Sequence, residues 1–422
     1  MGLFRPGKRK RLGLLATSVV ATLVGAVACG GSSAPQGGAG ASASGGSAPK
    51  TTVTVGVLAD VTGAAASGNK SSLDGFKAGT FYASREGYTI KYIVADTATN
   101  PATVLSMAQK LVTQDHVTAV LAHSALFFAA APYLTQHNVP VIGFAEDGRE
   151  WFTSPNMFSI TGPSLDDEVT TTIGQIFKKV GVTNLAALAY SVAPGSQAAA
   201  NEAAASGRLA GIKVGYQNVQ LPFGTTDVGP PVLAMKNAGI DGFFGAVDAN
   251  TSFVMLKSLK DQGVTLKGAL LATGYGGDLA QAGPGASQIA QGAYFSLGFE
   301  PVEMQTAATK QFESDLKSAG VTGEPTFAQY DGYVTMGLLV RALKAAGSSP
   351  TSASLLTALR GIHDWDGLGL FGPGKTYDIN QKKITTGECL FVTKYEGSAF
   401  KPVQGALPIC GTLTDQKIQR AS

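Results

Sequence analysis

The sequence predicts an α/β protein built from two open, doubly wound parallel sheets. One observation is that short apolar runs, bounded by turn residues, alternate with longer helical patterns along most of the chain. Another is that most of these apolar runs are continuous, as expected for strands buried on both faces of a parallel sheet. The third is length, because the chain after residue 50 is long enough for two domains of ordinary size.

The predicted elements follow one another in a regular order. The strands are 52–58, 90–95, 117–122, 139–143, 185–190, 242–247, 270–273 and 292–297. The helices between them are 73–86, 102–114, 126–136, 166–180, 196–210, 228–238 and 250–262. Two helices, 327–345 and 352–359, then come together, and short strands and turns occupy 372–403. This last region does not continue the repeat.

The first 28 residues have the organisation of a secretory leader. Five basic residues precede an apolar run over 12–27, and small residues come before Cys29. A cysteine directly after Ala26-Val27-Ala28 resembles the bacterial lipobox, although Leu is usual at the position of Ala26. We expect Cys29 to carry lipid and to anchor the protein on the outer face of the bacterial cell membrane. Cleavage after an Ala-x-Ala site and an uncleaved membrane anchor are the alternatives.

The basic charge of the chain belongs to this leader. The formal charge of +3 becomes about −2 without the five basic residues before Cys29. The remaining charges are dispersed, so we expect no nucleic-acid partner, which would need clustered Lys and Arg. Residues 29–50 are rich in Gly, Ser and Ala and predict a flexible tether.

Two cysteines, Cys389 and Cys410, remain after the leader is set aside. Because disulfides persist outside the cytoplasm, we predict that they pair. The chain-entropy model gives about 3 kcal/mol of stabilisation for a loop of this length. Two free thiols are the alternative.

Short segments of the chain, in their order and spacing, resemble the type I periplasmic-binding-protein family, specifically the leucine/amide-type substrate-binding lipoproteins of ABC importers. The resemblance covers about residues 52–403. The matching segments are 55–58 (VGVL), 62–63 (TG), Asp96 before 100–101 (NP), 119–124 (AVLAHS), 138–142 (NVPVI), 241–244 (DGFF) and 330–333 (YDGY).

The resemblance implies two lobes with a ligand cleft between them. Lobe 1 would comprise 51–168 and 302–377, and lobe 2 would comprise 169–301 and 378–415. It also implies a monomer that captures a small polar molecule by lobe closure and delivers it to an ABC permease. The ligand would be amino-acid-like, an amide, an amine or a small aromatic acid. A ligand-sensing ectodomain that signals to a membrane receptor is the alternative function.

Ligands of open α/β sheets bind in the loops after the strands. The candidate loops are 60–68, 123–126, 144–151, 191–197, 248–250 and 275–278. In the family, adjacent hydroxyl residues after the third strand grip the ligand's carboxylate, and this chain has Ser124 followed by Ala125. Thr62 belongs to another matching segment and is also assigned to the site. The absence of a second hydroxyl residue at Ala125 disfavours an α-amino acid as the ligand and favours an amide, an amine or an aromatic compound.

Acidic and aromatic residues complete the predicted ligand site. After the fourth strand, Phe144, Glu146 and Asp147 replace the usual hydroxyls. Glu146 or Asp147 could pair with a cationic group or accept from N–H donors, or either acid could simply be solvated. Asp248 stands where the family often has a polar ligand contact, whereas Asn250 beside it could merely cap a helix. Aromatic residues expected to enclose the ligand are Phe144, Trp151, Tyr190 and Tyr275.

The residues disfavour an enzyme. Ser124 lies beside His123, but Ala122 and Leu126 occupy the positions where a hydrolase nucleophile turn needs glycine. The segment 274–277 (GYGG) lacks the third glycine and the acidic partner of a dinucleotide site. No His, Cys or Asp cluster in the sequence has metal-ligand spacing. We therefore expect no catalytic residue, no cofactor and no metal.

Overall fold

The computed structural model describes residues 51–145, 148–162, 167–283, 285–403 and 408–418. The predicted leader, the tether and Cys29 lie outside these ranges. Within them the chain forms two large sheets of mainly parallel strands with helices on their faces. This arrangement confirms the predicted fold class.

The first sheet is wholly parallel and has the strand order β2-β1-β3-β4-β5. Its strands are β1 (Thr51–Ala59), β2 (Tyr88–Asp96), β3 (Val120–His123), β4 (Val141–Gly143) and β5 (Met157–Ser159). The helices among them are α1 (Ala66–Asn69), α2 (Ser72–Arg85), α3 (Pro101–Thr113), α4 (Ala131–Gln136) and α5 (Glu150–Thr153). The single helix predicted over 126–136 is wrong. A 3₁₀ turn over Phe127–Ala129 precedes α4, whose first turn contains Pro132, a residue that favours a helix start.

The second sheet has the order β13-β12-β11-β10-β9-β7-β8. Its strands are β7 (Asn184–Tyr190), β8 (Lys213–Leu221), β9 (Gly242–Ala246), β10 (Gly268–Leu271), β11 (Tyr294–Leu297), β12 (Cys389–Glu396) and β13 (Ala399–Pro402). Its helices are α6 (Thr172–Lys179), α7 (Pro194–Leu209), α8 (Gly229–Ala238), α9 (Ala249–Asp261), α10 (Gly277–Gln281) and α11 (Ala286–Ile289). The strands from β8 to β11 are parallel, and β12 and β13 are antiparallel additions.

The helix predicted over 166–180 is wrong in its first part. Residues Glu168–Thr170 form the strand β6, which pairs antiparallel with β15 (Leu413–Lys417). The β-branched Val169 and Thr170 suit this pairing, and the helix starts only at Thr172.

The disulfide between Cys389 and Cys410 is confirmed. Cys389 opens β12, and Cys410 lies directly opposite it in the short strand β14 (Ile409–Cys410). The two residues are 21 positions apart, so the bond closes a loop that the chain-entropy model associates with about 3 kcal/mol.

The remaining long helices are α12 (Ala307–Ser318), α13 (Phe327–Ala346) and α14 (Ser352–Arg360). Helix α13 packs against α2 and lies on β3 and β4 of the first sheet. The apolar core on this side joins residues such as Val55 of β1, Phe76 of α2 and Leu338 of α13, whereas α3 and α4 cover the opposite face.

The backbones of α2 and α13 touch at glycines. A Cβ atom at Gly75 would lie 2.2 Å from the backbone oxygen of Gln329. A Cβ atom at Gly332 would lie 2.3 Å from the backbone oxygen of Ser72. Both distances are far below van der Waals contact, so only glycine permits this approach.

We expect Gly75→Ala to lower the free energy of unfolding by about 1–3 kcal/mol, because the added methyl group forces the two helices apart. Urea denaturation would measure the loss. Gly229→Ala is the matched control, since its Cβ atom would have its nearest neighbour at 3.8 Å. Equal stability of the two variants would contradict the proposed tight packing.

Candidate functional site

A cavity of about 610 Å³ lies outside the carboxyl ends of strands from both sheets. From the first sheet, His123 at the end of β3 and Phe144 after β4 line it. From the second sheet, Tyr190 at the end of β7, Asp248 after β9 and Thr273 after β10 line it. This is the edge where open parallel sheets bind ligands.

Aromatic rings make up much of the cavity wall and come from both sides. The lining rings belong to Phe144, Phe152, Tyr190, Phe223, Phe244, Phe327 and Tyr377. The rings of Phe144 and Phe327 meet edge to face with centroids 5.4 Å apart, and those of Tyr190 and Phe223 lie 4.6 Å apart. Such surfaces suit a flat ligand that is enclosed on two faces.

The loops at the ends of β1 and β3 are held together by Asp60, which is fully buried. Its Oδ1 accepts a hydrogen bond from the Ser124 hydroxyl at 2.8 Å, and its Oδ2 accepts one from the Ala125 N–H at 2.8 Å. The Thr97 hydroxyl and the Asn69 amide also donate to this carboxylate. The groups expected to grip a ligand's carboxylate therefore already bind a carboxylate of the chain.

The first turn of α13 lies between two buried polar groups of the cavity wall. The Asp278 carboxylate accepts from the backbone N–H of Phe327, and burial raises the pKa of this carboxyl to about 7. The His123 Nδ1 lies 3.9 Å from Asp331 Oδ2, one turn further along the helix. Burial lowers the pKa of His123 to about 4, so its imidazole is neutral at physiological pH.

On the side of the second sheet, Tyr190 and Asp248 form one unit. The Tyr190 hydroxyl donates to Asp248 Oδ2, while Asp248 Oδ1 accepts from the Thr251 N–H at 3.0 Å and caps α9. Burial and the adjacent Asp248 carboxylate raise the pKa of Tyr190. Both residues line the cavity. Asp248 therefore caps a helix and also lines the cavity, two roles that the sequence left as alternatives for this loop.

Two more acids, Glu202 and Glu388, line the cavity. Burial, reinforced by the charge of Glu388, raises the pKa of Glu202, and burial also raises the pKa of Glu388. Thr170 donates its N–H and its hydroxyl to Glu202 Oε1 at 3.1 and 3.0 Å. Both carboxyls therefore favour the protonated form more than a solvated carboxyl does.

The predicted site residues separate into two groups. Ala125, Phe144, Tyr190 and Asp248 lie on the cavity wall. Trp151 is buried in the apolar cluster beside Phe127, and Tyr275 is buried against Phe400 with its hydroxyl donating to Glu303 at 2.6 Å. Ser124 is buried and its hydroxyl donates to Asp60, whereas the Thr62 hydroxyl donates to Asp96 at 2.6 Å. Glu146 lies outside the described residues.

Sequence reasoning missed several lining residues, namely Asn69, His123, Phe223, Asp278 and Phe327. His123 and Asp278 lie in loops identified as candidates, and their burial was the missing information. Phe223 follows β8, an unpredicted strand, and Phe327 opens a helix that follows no strand of the repeat.

A sequence profile described as periplasmic binding protein matches residues 52–399. The chain belongs to this family. A comparison with curated protein sequences gave no significant match. Within the described ranges, no group of three or more His, Cys, Asp or Glu side chains is placed to hold a metal ion. Searched over the same residues, the helices include none that is both long and apolar enough to cross a membrane.

Solved structures of periplasmic binding proteins share this fold at low sequence identity. A solute-binding protein of an ABC transporter from R. palustris, in complex with 4-hydroxybenzoate, is 20% identical with a TM-score of 0.68, and the match covers 87% of this chain and 98% of that one. A leucine-binding protein from Thermotoga maritima is 15% identical with a TM-score of 0.68, covering 83% and 97%. A branched-chain amino acid transporter substrate-binding protein from Streptococcus pneumoniae, in complex with isoleucine, is 18% identical with a TM-score of 0.68, covering 85% and 99%.

We expect Asp278→Asn to raise the melting temperature by about 2–5 °C near pH 7.5 and by much less near pH 4. Between these values the carboxyl is ionised in the unfolded chain but still protonated in the folded one, so the native protein loses stability as pH rises. Asparagine keeps an oxygen that accepts from the Phe327 N–H and does not ionise.

Differential scanning calorimetry across this pH range measures the effect. Asp261→Asn is the control, because its carboxylate is 56% exposed and pairs with Lys257 on the surface of α9. A gain for Asp278→Asn that does not depend on pH would contradict the explanation by ionisation.

Proposed function

We propose that this periplasmic binding protein is the substrate-binding component of an ABC importer and captures a small ring-bearing molecule by closure of two lobes. The observation that carries the proposal is the aromatic cavity between the carboxyl ends of both sheets, lined by Phe144 on one side and Tyr190 on the other. A ligand that contacts both sides favours the closed form over the open form.

The proposed capture needs binding groups and no covalent step. The hydroxyl of Ser124 donates to Asp60, so this serine lies in a structural hydrogen-bond network. Amino-acid-like compounds, amides, amines and small aromatic acids are the ligand classes to test. Known relatives of the fold with 4-hydroxybenzoate and isoleucine bound support ligands of this size.

The proposal places the protein on the outer face of the bacterial cell membrane as a monomer. Lipid on Cys29 would hold it there, and residues 29–50 would give it reach to the permease. The order of basic residues, apolar run and cysteine supports this location.

We expect one class in a panel of amino acids, amides, amines and aromatic acids to raise the melting temperature of the full chain in detergent. A ligand at 100 times its Kd adds about 2.7 kcal/mol to stability. Phe144→Ala should weaken binding about tenfold or more, because a wall ring is lost. Phe81→Ala is the control, since this ring lies on α2 and is 37% exposed. Unshifted melting across the panel would contradict small-molecule capture.

We expect Cys29→Ser to remove the lipid near the amino terminus without changing the ligand affinity of the protein. Mass spectrometry of the amino-terminal peptide would detect the lipid on the unaltered chain and its loss in the variant. An unaltered chain that keeps its leader and carries no lipid on Cys29 would support the uncleaved anchor instead.

A further inference from the structure

The corner of the cavity behind Ala125 and Asn69 already holds a carboxylate. Among the described residues, four groups donate hydrogen bonds to Asp60: two hydroxyls, one amide and the Ala125 N–H. A carboxylate has about four acceptor sites, so Asp60 cannot accept a further hydrogen bond from a ligand. The four groups that donate to Asp60 are likewise not available to a ligand.

A ligand carboxylate that accepted from the Ala125 N–H, which lies 2.8 Å from Asp60 Oδ2, would meet the charge of Asp60 at short range. Two like charges about 4 Å apart in a partly buried site reduce affinity by about a thousandfold at an effective dielectric constant of about 20. A ligand anion would also have to displace Asp60 from Ser124 and Ala125. Asp60 therefore excludes carboxylates from the groups that the sequence pattern had assigned to them.

Two other polar groups of the wall point to a different kind of ligand. Among the described residues, both ring nitrogens of His123 and Oδ1 of Asp278 lack a hydrogen-bond partner, although the side chains are 2% and 4% exposed. Both residues line the cavity. Buried polar atoms are nearly always paired in native structures, so a ligand that lies here would supply the partners.

The charges of the wall agree with this reading. The acids among the described lining residues are Glu202, Asp248, Asp278, Asp378 and Glu388, against the bases Arg149 and Lys375. Burial without a neighbouring positive charge is what raises the pKa of the Asp278 carboxyl. A nitrogen group with a partial or full positive charge would offset that burial and gain a charge-assisted hydrogen bond.

We infer that the ligand is an aromatic compound with N–H donors and no carboxylate, that Asp278 and His123 bind its nitrogen group, and that Asp60 excludes acids. This inference rests on the proposed function and specifies the ligand class of the same cavity. Phe144 and Phe327 would enclose the ring beside them, since Phe327 opens the helix whose N–H group binds Asp278.

Three probes with one ring test the inference: benzylamine, benzamide and benzoate. Calorimetric titration of the full chain in detergent should show binding of benzylamine and benzamide, with benzoate at least about 100-fold weaker. Asp278→Asn should weaken the binding of benzylamine about tenfold or more and the binding of benzamide less, because only the benzylamine cation loses a charge partner. Asp261→Asn is the control, as a surface carboxylate with the same chemical change.

Asp60→Asn should narrow the difference in Kd between benzoate and benzamide by about tenfold or more. The repelling charge is gone in this variant, while an amide oxygen still accepts from the Ala125 N–H. Titration of benzylamine in buffers of different ionisation enthalpy near pH 7 should show proton release, which a purely structural Asp278 would not produce. This readout uses the unaltered protein and does not depend on the folding of any variant.

Benzoate binding to the unaltered protein as tightly as benzylamine would overturn the inference, and so would failure of all three probes to bind. Stabilisation by another ring-bearing panel compound, such as an aromatic amino acid, would then leave the proposed function standing with a different ligand class. An Asp278→Asn variant with unchanged benzylamine affinity would overturn the assignment of the nitrogen group to this residue.

Discussion

The contact between α2 and α13 at Gly75 and Gly332 is the constraint on which the rest of the structure depends. It fixes α13 against the first sheet, and the start of α13 then lies beside α10 of the second sheet. A hydrogen bond from Gly277 N to Pro325 O and the isolated bridge between Gly276 and Thr326 join these parts. This junction sets the positions of Asp278 and Phe327, two residues of the cavity wall that lie within it.

The amino end of α13 is built to hold that position. Thr326 and Gln329 form a reciprocal capping box, and the Thr326 hydroxyl lies 2.8 Å from that of Ser71 next to α2. Hydrogen bonds that close a helix end in this way stabilise both its start and the loop before it. The same turn donates to Asp278 and lies near His123, so packing and ligand chemistry share one helix terminus.

The alternation of elements could be predicted because buried parallel strands are mostly continuous apolar runs, as in β7. β8 escaped prediction because it is an edge strand whose residues are mostly half-exposed. Trp151 and Tyr275 follow strands, as wall residues would, yet long aromatic side chains can turn back into the core, and no local pattern reveals that direction. Asp60 lies in a candidate loop, but its role depends on Thr97 and Ser124, which only the fold brings together.

The antiparallel pairing of β11 with β12 constrains the order in which the protein assembles. These neighbours are Tyr294–Leu297 and Cys389–Glu396, and the intervening chain forms α12, α13 and α14, of which α12 and α13 pack on the first-sheet side. The second sheet therefore cannot be completed until the chain has been synthesised as far as β12 and β13. Contacts so distant in sequence slow folding, and the second sheet remains incomplete until these two strands have emerged.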